Sequence, residues 1–157
     1  MIRLTSSQNP VVKEIRSLRN KSGRNERGLY FIEGARFVSE ALNEYGAAAV
    51  IRDIKYVAVS DSFVGSGGYE SIVKPCLDRG IKVYSLTDSL FESVSDTMNP
   101  QGVLAVLGMK KESLEDAALR DGILVILDGI RDPGNMGTII RTADAAGCAG
   151  IIVTDGC

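Results

Sequence analysis

The residues best placed to do chemistry lie in the stretch LVILDGIRDPGNMGTIIRTADAAG, which runs from Leu124 to Gly147. An apolar run ends at Asp128-Gly129, a polar turn follows, and Arg141 then stands in a second apolar segment. This order predicts a strand, a loop and a helix, with the loop at the carboxyl end of the strand, where open α/β sheets place their ligands. A guanidinium in apolar surroundings needs an anionic partner, so Arg141 predicts a phosphate-binding site.

The same stretch also has a purely structural interpretation. Asp132-Pro133-Gly134 is typical of a turn, Asn135 is a good helix N-cap, and the small residues that follow allow a helix to pack closely on a sheet. The spacing alone leaves both interpretations open. The amino end of a helix attracts phosphate, which favours the binding site.

Composition and missing motifs exclude several other kinds of site. The chain contains no histidine, which excludes a Ser-His-Asp triad and histidine-bound zinc. Its three cysteines, Cys76, Cys148 and Cys157, lack paired spacing, so we expect no metal site and reduced thiols, as in the cytoplasm. The stretch contains neither the glycine pattern of dinucleotide sites nor that of P-loops. No segment predicts a membrane span or an export signal.

Charge is distributed unevenly along the chain. The net charge is −2, but residues 1–27 contain seven basic and two acidic residues, which leaves −7 for the rest. Such a cluster predicts contact with a polyanion such as RNA, and the alternative is an ordinary solvated helix face. The candidate RNA-binding residues are Lys13, Arg16, Arg19, Lys21, Arg24, Arg27 and Arg36.

Helices and strands alternate along the chain. Asn9-Pro10 predicts the start of a basic helix over 9–22, because asparagine caps free amides and proline suits the first turn. A polar loop is expected over 20–28 and another over 65–68, and a helix over 69–80 is expected to break near Pro75. Strands are predicted over 29–32, 54–60, 81–86, 102–108, 123–127 and 150–154. This alternation predicts α/β layers built on parallel strands.

The segment LDGIRDPGNMGTIIRTADAAG resembles, almost residue for residue, the first signature motif of the SpoU/TrmH family of RNA ribose 2′-O-methyltransferases, within the SPOUT superfamily. The front of the chain, NPVVKEIRSLRNKSGRNERGLYFIEGARFVSEAL, is similar to the substrate-binding domain that many members carry, and DTMNPQGVLAVLG is similar to its closing strand. The resemblance implies a ribosomal-protein-like α/β RNA-binding domain over 1–108 and a linker over 109–121. It then implies the first β-α-β unit of a knotted methyltransferase domain over 122–157.

The resemblance also implies roles for two residues. Asn135 matches the asparagine that supports the active-site loop and the neighbouring arginine, and Arg141 matches the arginine that engages the substrate phosphate and helps to deprotonate the ribose hydroxyl. It further implies S-adenosylmethionine as methyl donor and a homodimer in the complete protein. The family's second and third motifs, which form most of the cofactor pocket, are absent, so we expect no cofactor-binding residue in this chain and no activity from it alone.

Together these observations predict a cytoplasmic RNA 2′-O-methyltransferase that acts on ribosomal RNA in preference to transfer RNA, with a chain truncated after the first catalytic motif. The alternative is a non-catalytic RNA-binding protein that keeps the recognition domain and a remnant of the enzyme. The two hypotheses differ in whether replacing Arg141 in a complete chain abolishes methyl transfer.

Overall fold

The computed structural model describes residues 1–42, 54–110, 113–118 and 121–157. It divides the chain into two units, Met1–Lys110 and Lys111–Cys157, each with its own sheet. Part of the predicted linker, at 111–112 and 119–120, lies outside the described residues. Within the described ranges, no helix is long and apolar enough to cross a membrane.

The first unit is built on a five-stranded sheet in the order β1-β4-β3-β5-β2. Its strands are β1 Ile2–Leu4, β2 Leu29–Glu33, β3 Ile54–Ser60, β4 Lys82–Leu86 and β5 Val103–Gly108. β1, β4 and β3 are parallel, whereas β5 runs antiparallel to both β3 and β2. The α/β class is confirmed, but the expectation of purely parallel strands is wrong. The chain between β4 and β5, residues 87–102, does not cross back to the opposite edge of the sheet. β5 therefore starts at the edge where β4 ends and runs in the opposite direction.

Helices cover both faces of this sheet. In chain order they are α1 Pro10–Ser17, α2 Lys21–Arg27, α3 Ala35–Leu42, α4 Asp61–Phe63, a π-helical segment Val64–Val73, α5 Lys74–Asp78 and α6 Asp88–Glu92. Alternate residues of β3 serve two cores, because Tyr56 and Ala58 pack with α1 and α6, and Val57 and Val59 pack with α3 and the π-helical segment. The central strands β3 and β5 are therefore buried on both faces.

The predicted basic helix over 9–22 is shorter than expected. Asn9 caps it as predicted, since its side chain accepts a hydrogen bond from the Val11 amide at 2.9 Å. The helix ends at Ser17, however, and α2 occupies most of the stretch 20–28, where a loop is expected. The loop prediction is wrong because the composition KSGRNER carries no apolar period that would indicate a helix.

Tertiary contacts across the turn explain why α2 forms. Arg24 donates through Nη1 to the carbonyls of Leu18 and Arg19, each at 3.0 Å, and so satisfies acceptors left free at the end of α1. Gly23 is buried against Ser17, whose carbonyl group occupies the space that a Cβ at residue 23 would need. A bulkier residue at this position would separate the two helices.

Most other elements of the first unit lie within a residue or two of their predicted bounds. The loop expected over 65–68 is a kink, because Ser66 and Gly67 have non-helical backbone angles inside the π-helical segment. Pro75 does not interrupt its helix, since the backbone is already helical at Val73 and Lys74 and stays helical to Asp78. β1 is not predicted from the sequence, because only Leu4 of its three residues is buried.

The second unit has the predicted strand–helix–strand order. Its elements are α7 Leu114–Ala118, β6 Leu124–Leu127, α8 Pro133–Ala145 and β7 Gly150–Val153. β6 and β7 are parallel, with Leu124 opposite Gly150 and Leu127 opposite Val153. Because parallel neighbours need a crossover between them, α8 links the two strands and the loops that follow them meet at one edge.

We expect Gly23→Ala to destabilise the first unit by about 2 kcal/mol, because the added methyl group would overlap the Ser17 backbone. Gly65→Ala is the matched control: its site is open and helical, so alanine is neutral or stabilises by up to about 1 kcal/mol. Urea unfolding followed by tyrosine fluorescence reports this unit alone, since all five tyrosines precede residue 111 and tryptophan is absent. Equal midpoints for the two variants would contradict the close approach of α1 and α2.

Candidate functional site

The loop that follows β6 is fastened to the segment that follows β7. Thr154 donates through Oγ1 to Oδ1 of Asp128 at 2.6 Å, and its backbone amide donates to the Leu127 carbonyl at 3.0 Å. The Ile130 amide donates to Sγ of Cys157 at 3.3 Å. Both loops are thereby held together at the carboxyl edge of the parallel pair, which is the edge where α/β sheets bind ligands.

The helix α8 begins one turn earlier than it would if Asn135 were its N-cap. Asp132 is the N-cap, because its Oδ1 accepts a hydrogen bond from the Asn135 amide at 2.7 Å, and Pro133 follows at the first helical position. The interpretation of Asn135 as the cap is therefore wrong. Its side chain is exposed and makes no hydrogen bond within the described part of the chain, including to Arg141. The side-chain amide of Asn135 is thus available to a ligand.

Arg141 is exposed, so the expectation that it is buried is wrong, although its neighbours in a hollow between α8 and β7 include the apolar Ile140, Ala143 and Ile151. It is the ninth residue of α8, and its side chain points back toward the amino end of the helix. Nη2 lies 3.3 Å from the Thr138 hydroxyl, and a Cβ at Gly137 would lie 3.2 Å from Nη1. Within the described residues no carboxylate neutralises this guanidinium, which leaves its charge available to an anion.

Two of the seven predicted RNA-binding residues have structural partners instead. Arg24 is held by the carbonyls at the end of α1, as described above. Arg27 donates to Oγ of Ser17 at 2.9 Å and to Oε2 of Glu14 at 3.4 Å, and the other Glu14 oxygen accepts a 2.7 Å hydrogen bond from the Tyr56 hydroxyl. Burial, together with this bond to Glu14, raises the pKa of Tyr56 well above its ordinary value. These contacts fasten α1 and α2 to β3.

The other five predicted residues keep exposed or exchangeable charges. Arg16 donates to Ser93 at 3.1 Å, Arg19 to Asp96 at 3.3 Å and Arg36 to Glu40 at 2.9 Å. Exposed pairs of this kind contribute little to stability, so a phosphate can replace the internal partner. Lys13 and Lys21 are exposed and make no ion pair within the described residues. Arg16 and Arg19 both reach the segment between α6 and β5, whereas Arg36 lies at the start of α3.

Sequence reasoning misses two polar contacts at the carboxyl edge of the first sheet. Arg3 makes a bidentate ion pair with Asp61, at 2.8 and 2.7 Å, which joins β1 to the residue after β3. Glu33, at the end of β2, accepts hydrogen bonds from residues 95–97. Neither contact has a signal in the sequence, because the partners are 58 or more residues apart.

Two family models match the chain, one in each unit. The MRM3-like substrate binding domain matches residues 9–105, and the SpoU rRNA Methylase family matches residues 122–157. The second match contains the loop after β6, the helix α8 and Arg141.

Similar proteins include two curated relatives and a solved structure. The 23S rRNA (guanosine(2553)-2′-O)-methyltransferase RlmP of Bacillus subtilis (strain 168) is 34% identical over 156 residues, 99% of this chain and 56% of that protein. The mitochondrial rRNA methyltransferase 3 of Homo sapiens is 31% identical over 148 residues, 89% of this chain and 32% of that protein. The crystal structure of AdoMet-bound rRNA methyltransferase from Sinorhizobium meliloti matches with a TM-score of 0.71 and 35% identity, over 96% of this chain and 53% of that one. The chain therefore spans about half the length, or less, of these proteins.

We expect Asp132→Ala to weaken the first turn of α8 by about 1 kcal/mol, because the Asn135 amide loses its acceptor. Asp132→Asn is the matched control, since asparagine is an equally good cap and removes only the charge. Hydrogen exchange at residues 135–137 measures the change, and faster exchange is expected in the alanine variant alone. Unchanged exchange in Asp132→Ala would show that Asp132 is not the N-cap.

Proposed function

The chain belongs to the SpoU/TrmH family of RNA methyltransferases, and we propose that the full-length protein methylates the 2′-hydroxyl of an RNA ribose with S-adenosylmethionine as donor. The observation that carries the proposal is the position of Arg141. Its unneutralised guanidinium lies on the crossover helix that follows the loop after β6, inside the segment that matches the SpoU family. The names of the relatives above support ribosomal RNA as the substrate class.

The chemistry requires a weak nucleophile to be activated. A ribose hydroxyl attacks only when its proton is removed or its developing negative charge is stabilised. A guanidinium keeps its own proton near neutral pH but binds phosphate through two parallel N–H donors. We therefore assign Arg141 to positioning the phosphate beside the reacting ribose and to activating that hydroxyl, either by electrostatic stabilisation of the alkoxide or as a base whose proton load the phosphate shares. Asn135, whose side chain makes no hydrogen bond in the described residues, is assigned to supporting the loop and Arg141 in the full-length protein.

The described residues do not by themselves fit the methyl donor. Asp128, Gly129, Asp155 and Gly156, at the tips of the two loops, are all exposed and enclose no nucleoside. We accordingly assign no cofactor contact to this chain. In the proposed enzyme the pocket is completed by further chain, and the active protein is a homodimer.

The proposed location is the cytoplasm, with the thiols reduced. The three cysteines are free, and burial raises the pKa of Cys76 to about 11, so its thiol is inert near neutral pH. RNA binding is assigned to the first unit, whose five exchangeable cations, Lys13, Arg16, Arg19, Lys21 and Arg36, face solvent or exposed partners.

Replacement of Arg141 by alanine in the full-length protein is expected to lower methyl transfer by about 100- to 1000-fold, the usual cost of losing one donor to a developing oxyanion. RNA affinity should fall less than threefold, because one phosphate contact among several contributes little to binding. Transfer of radiolabelled methyl groups to ribosomal RNA measures activity, and filter binding measures affinity.

Arg79→Ala is the control for this experiment, since Arg79 is exposed in the first unit and, among the residues that the structure describes, donates only to the Pro75 carbonyl. Full methyl transfer by Arg141→Ala would refute the proposed role. Absence of transfer by the unsubstituted protein, with RNA binding retained, would favour the non-catalytic RNA-binding protein.

The affinity for single-stranded RNA should fall steeply with salt. With five phosphate contacts at about 0.7 each, log affinity against log salt concentration has a slope of about −3.5. The double variant Lys13→Ala/Lys21→Ala should reduce the slope by about 1.4 and leave the melting temperature unchanged, because neither lysine makes an ion pair in the described residues. A slope near zero would contradict RNA binding by these five cations.

A further inference from the structure

A cleft of about 430 Å³ lies at the carboxyl edge of the first sheet, just after the end of β2 and just before the start of β5. Its lining residues are Glu33, Gly34, Arg36, Phe37, Thr97, Asn99 and Gln101. One wall is the start of α3, and the other is the loop between α6 and β5, residues 95–101. Of these residues only Arg36 is a predicted RNA-binding residue, so the cleft is not explained by the basic helices α1 and α2.

The loop that forms one wall is held in a defined conformation. The Glu33 carboxylate accepts hydrogen bonds from Oγ of Ser95 at 2.6 Å, from Oγ1 of Thr97 at 2.7 Å and from the Asp96 amide at 3.1 Å. Ser95 is itself buried. These bonds fix the loop before any ligand arrives, so binding there does not pay the full entropic cost of ordering it.

The second wall is joined to the loop through Gln101. Oε1 of Gln101 accepts a hydrogen bond from the Ala35 amide at 2.9 Å. Because a backbone amide can only donate, the Gln101 side chain must turn its oxygen to Ala35 and leave its NH₂ group free. Gly34 adjoins this contact with φ +107°, and a Cβ there would lie 3.3 Å from Oε1. The geometry of the cleft therefore requires glycine at residue 34.

The free groups of the cleft match those of an unpaired nucleobase. Phe37, on the first turn of α3, is 60% exposed and offers a ring face for stacking. The Gln101 NH₂ group and the amide of Asn99, which is exposed and has no hydrogen-bond partner in the described residues, offer donors and an acceptor for a base edge. Met98, in the same loop, is 98% exposed.

Cations flank this cleft on both sides. Arg36 adjoins Phe37 on α3, and Arg19, in the turn between α1 and α2, contacts Asp96 of the loop. Of the acidic groups nearby, Glu33 accepts from three donors, Glu40 is paired with Arg36 and Asp96 with Arg19, whereas Glu92, on the other side of residues 97–100, makes no ion pair within the described residues. A single exposed aromatic residue needs no explanation. Here, however, the ring is combined with free amides on a fixed loop and with arginines that can hold the phosphates of the same strand.

We infer that the cleft between α3 and residues 95–101 binds an unpaired nucleobase of the RNA substrate, stacked on Phe37 and read at its edge by Asn99 and Gln101. The inference rests on the proposed function, in which the first unit binds RNA. Within that unit, the exposed cations bind the phosphate backbone of any sequence. The cleft selects single-stranded RNA and discriminates between bases.

The test uses the full-length protein and two RNA probes. One is a hairpin whose short stem carries a randomised single-stranded loop, and the other is a blunt duplex of the same stem. Phe37→Ala should weaken hairpin binding about tenfold, the order expected for one lost base–aromatic stack, and leave duplex binding unchanged. Phe37→Tyr should keep hairpin affinity, because tyrosine offers the same ring face.

Two further variants separate stacking and edge recognition from general effects. Tyr69→Ala removes an aromatic side chain that is 42% exposed and lies outside the cleft, so hairpin affinity should not change. Gln101→Glu keeps the acceptor for the Ala35 amide but replaces the NH₂ donor with a carboxylate oxygen, so hairpin affinity should fall at least fivefold while duplex affinity, which reports the effect of the added negative charge, stays unchanged. Selection of bound loops from the random pool should then show a changed base preference at one position.

The outcomes distinguish this inference from the proposed function. If the unsubstituted protein binds hairpin and duplex with a steep salt dependence but Phe37→Ala binds both as tightly, the cleft is not a base-binding site and RNA binding by the cations stands. If the unsubstituted protein binds neither RNA, both the inference and RNA recognition by the first unit are overturned.

Discussion

The parallel pairing of β6 and β7 is the constraint on which the candidate catalytic site depends. Two parallel neighbours cannot be joined by a tight turn, so the chain must cross back through α8. This crossover places the loop after β6 beside the segment after β7, and the hydrogen bond from Thr154 to Asp128 holds the two together. The start of α8 at Asp132 then sets where Arg141 lies along the helix. The position of Arg141, the proposed catalytic cation, thus follows from the topology of two short strands.

The polar side chains of the two units have different roles. In the first unit, a sheet buried on both faces supplies stability, and polar side chains at its carboxyl edge fix loops to strand ends, as Glu33 does for residues 95–97. In the second unit, the chemistry-bearing groups are exposed and largely without internal partners, as Asn135 and Arg141 are. A group that binds an RNA phosphate must be accessible to it, so the exposure of these residues agrees with the proposed function.

The sequence predicts the buried strands and the loop–helix motif well, because both have local signals. β3 and β5 are continuous apolar runs, and Asn9-Pro10 marks the start of α1. Asn135 is predicted as the N-cap of α8, but the cap is Asp132, an equally good capping residue that is followed by Pro133 at the first helical position. Helix α2 and the partners of Arg24 and Arg27 depend on contacts across the α1–α2 turn and with Glu14, which no periodicity contains. For the same reason the sequence predicts seven equivalent cations, whereas in the described residues the structure holds Arg24 and Arg27 by two contacts each, the three other arginines by one each and the two lysines by none.

The central claim is that the chemistry takes place on the ribose and not on the base. The most direct measurement is to incubate the full-length protein with ribosomal RNA and labelled S-adenosylmethionine, hydrolyse the product in alkali and locate the label. A 2′-O-methyl group removes the hydroxyl that alkali needs to cleave the adjacent phosphodiester. Label in an alkali-resistant dinucleotide is the predicted result. Label in mononucleotides, with every linkage cleaved, would place the methyl group on a base and contradict the account.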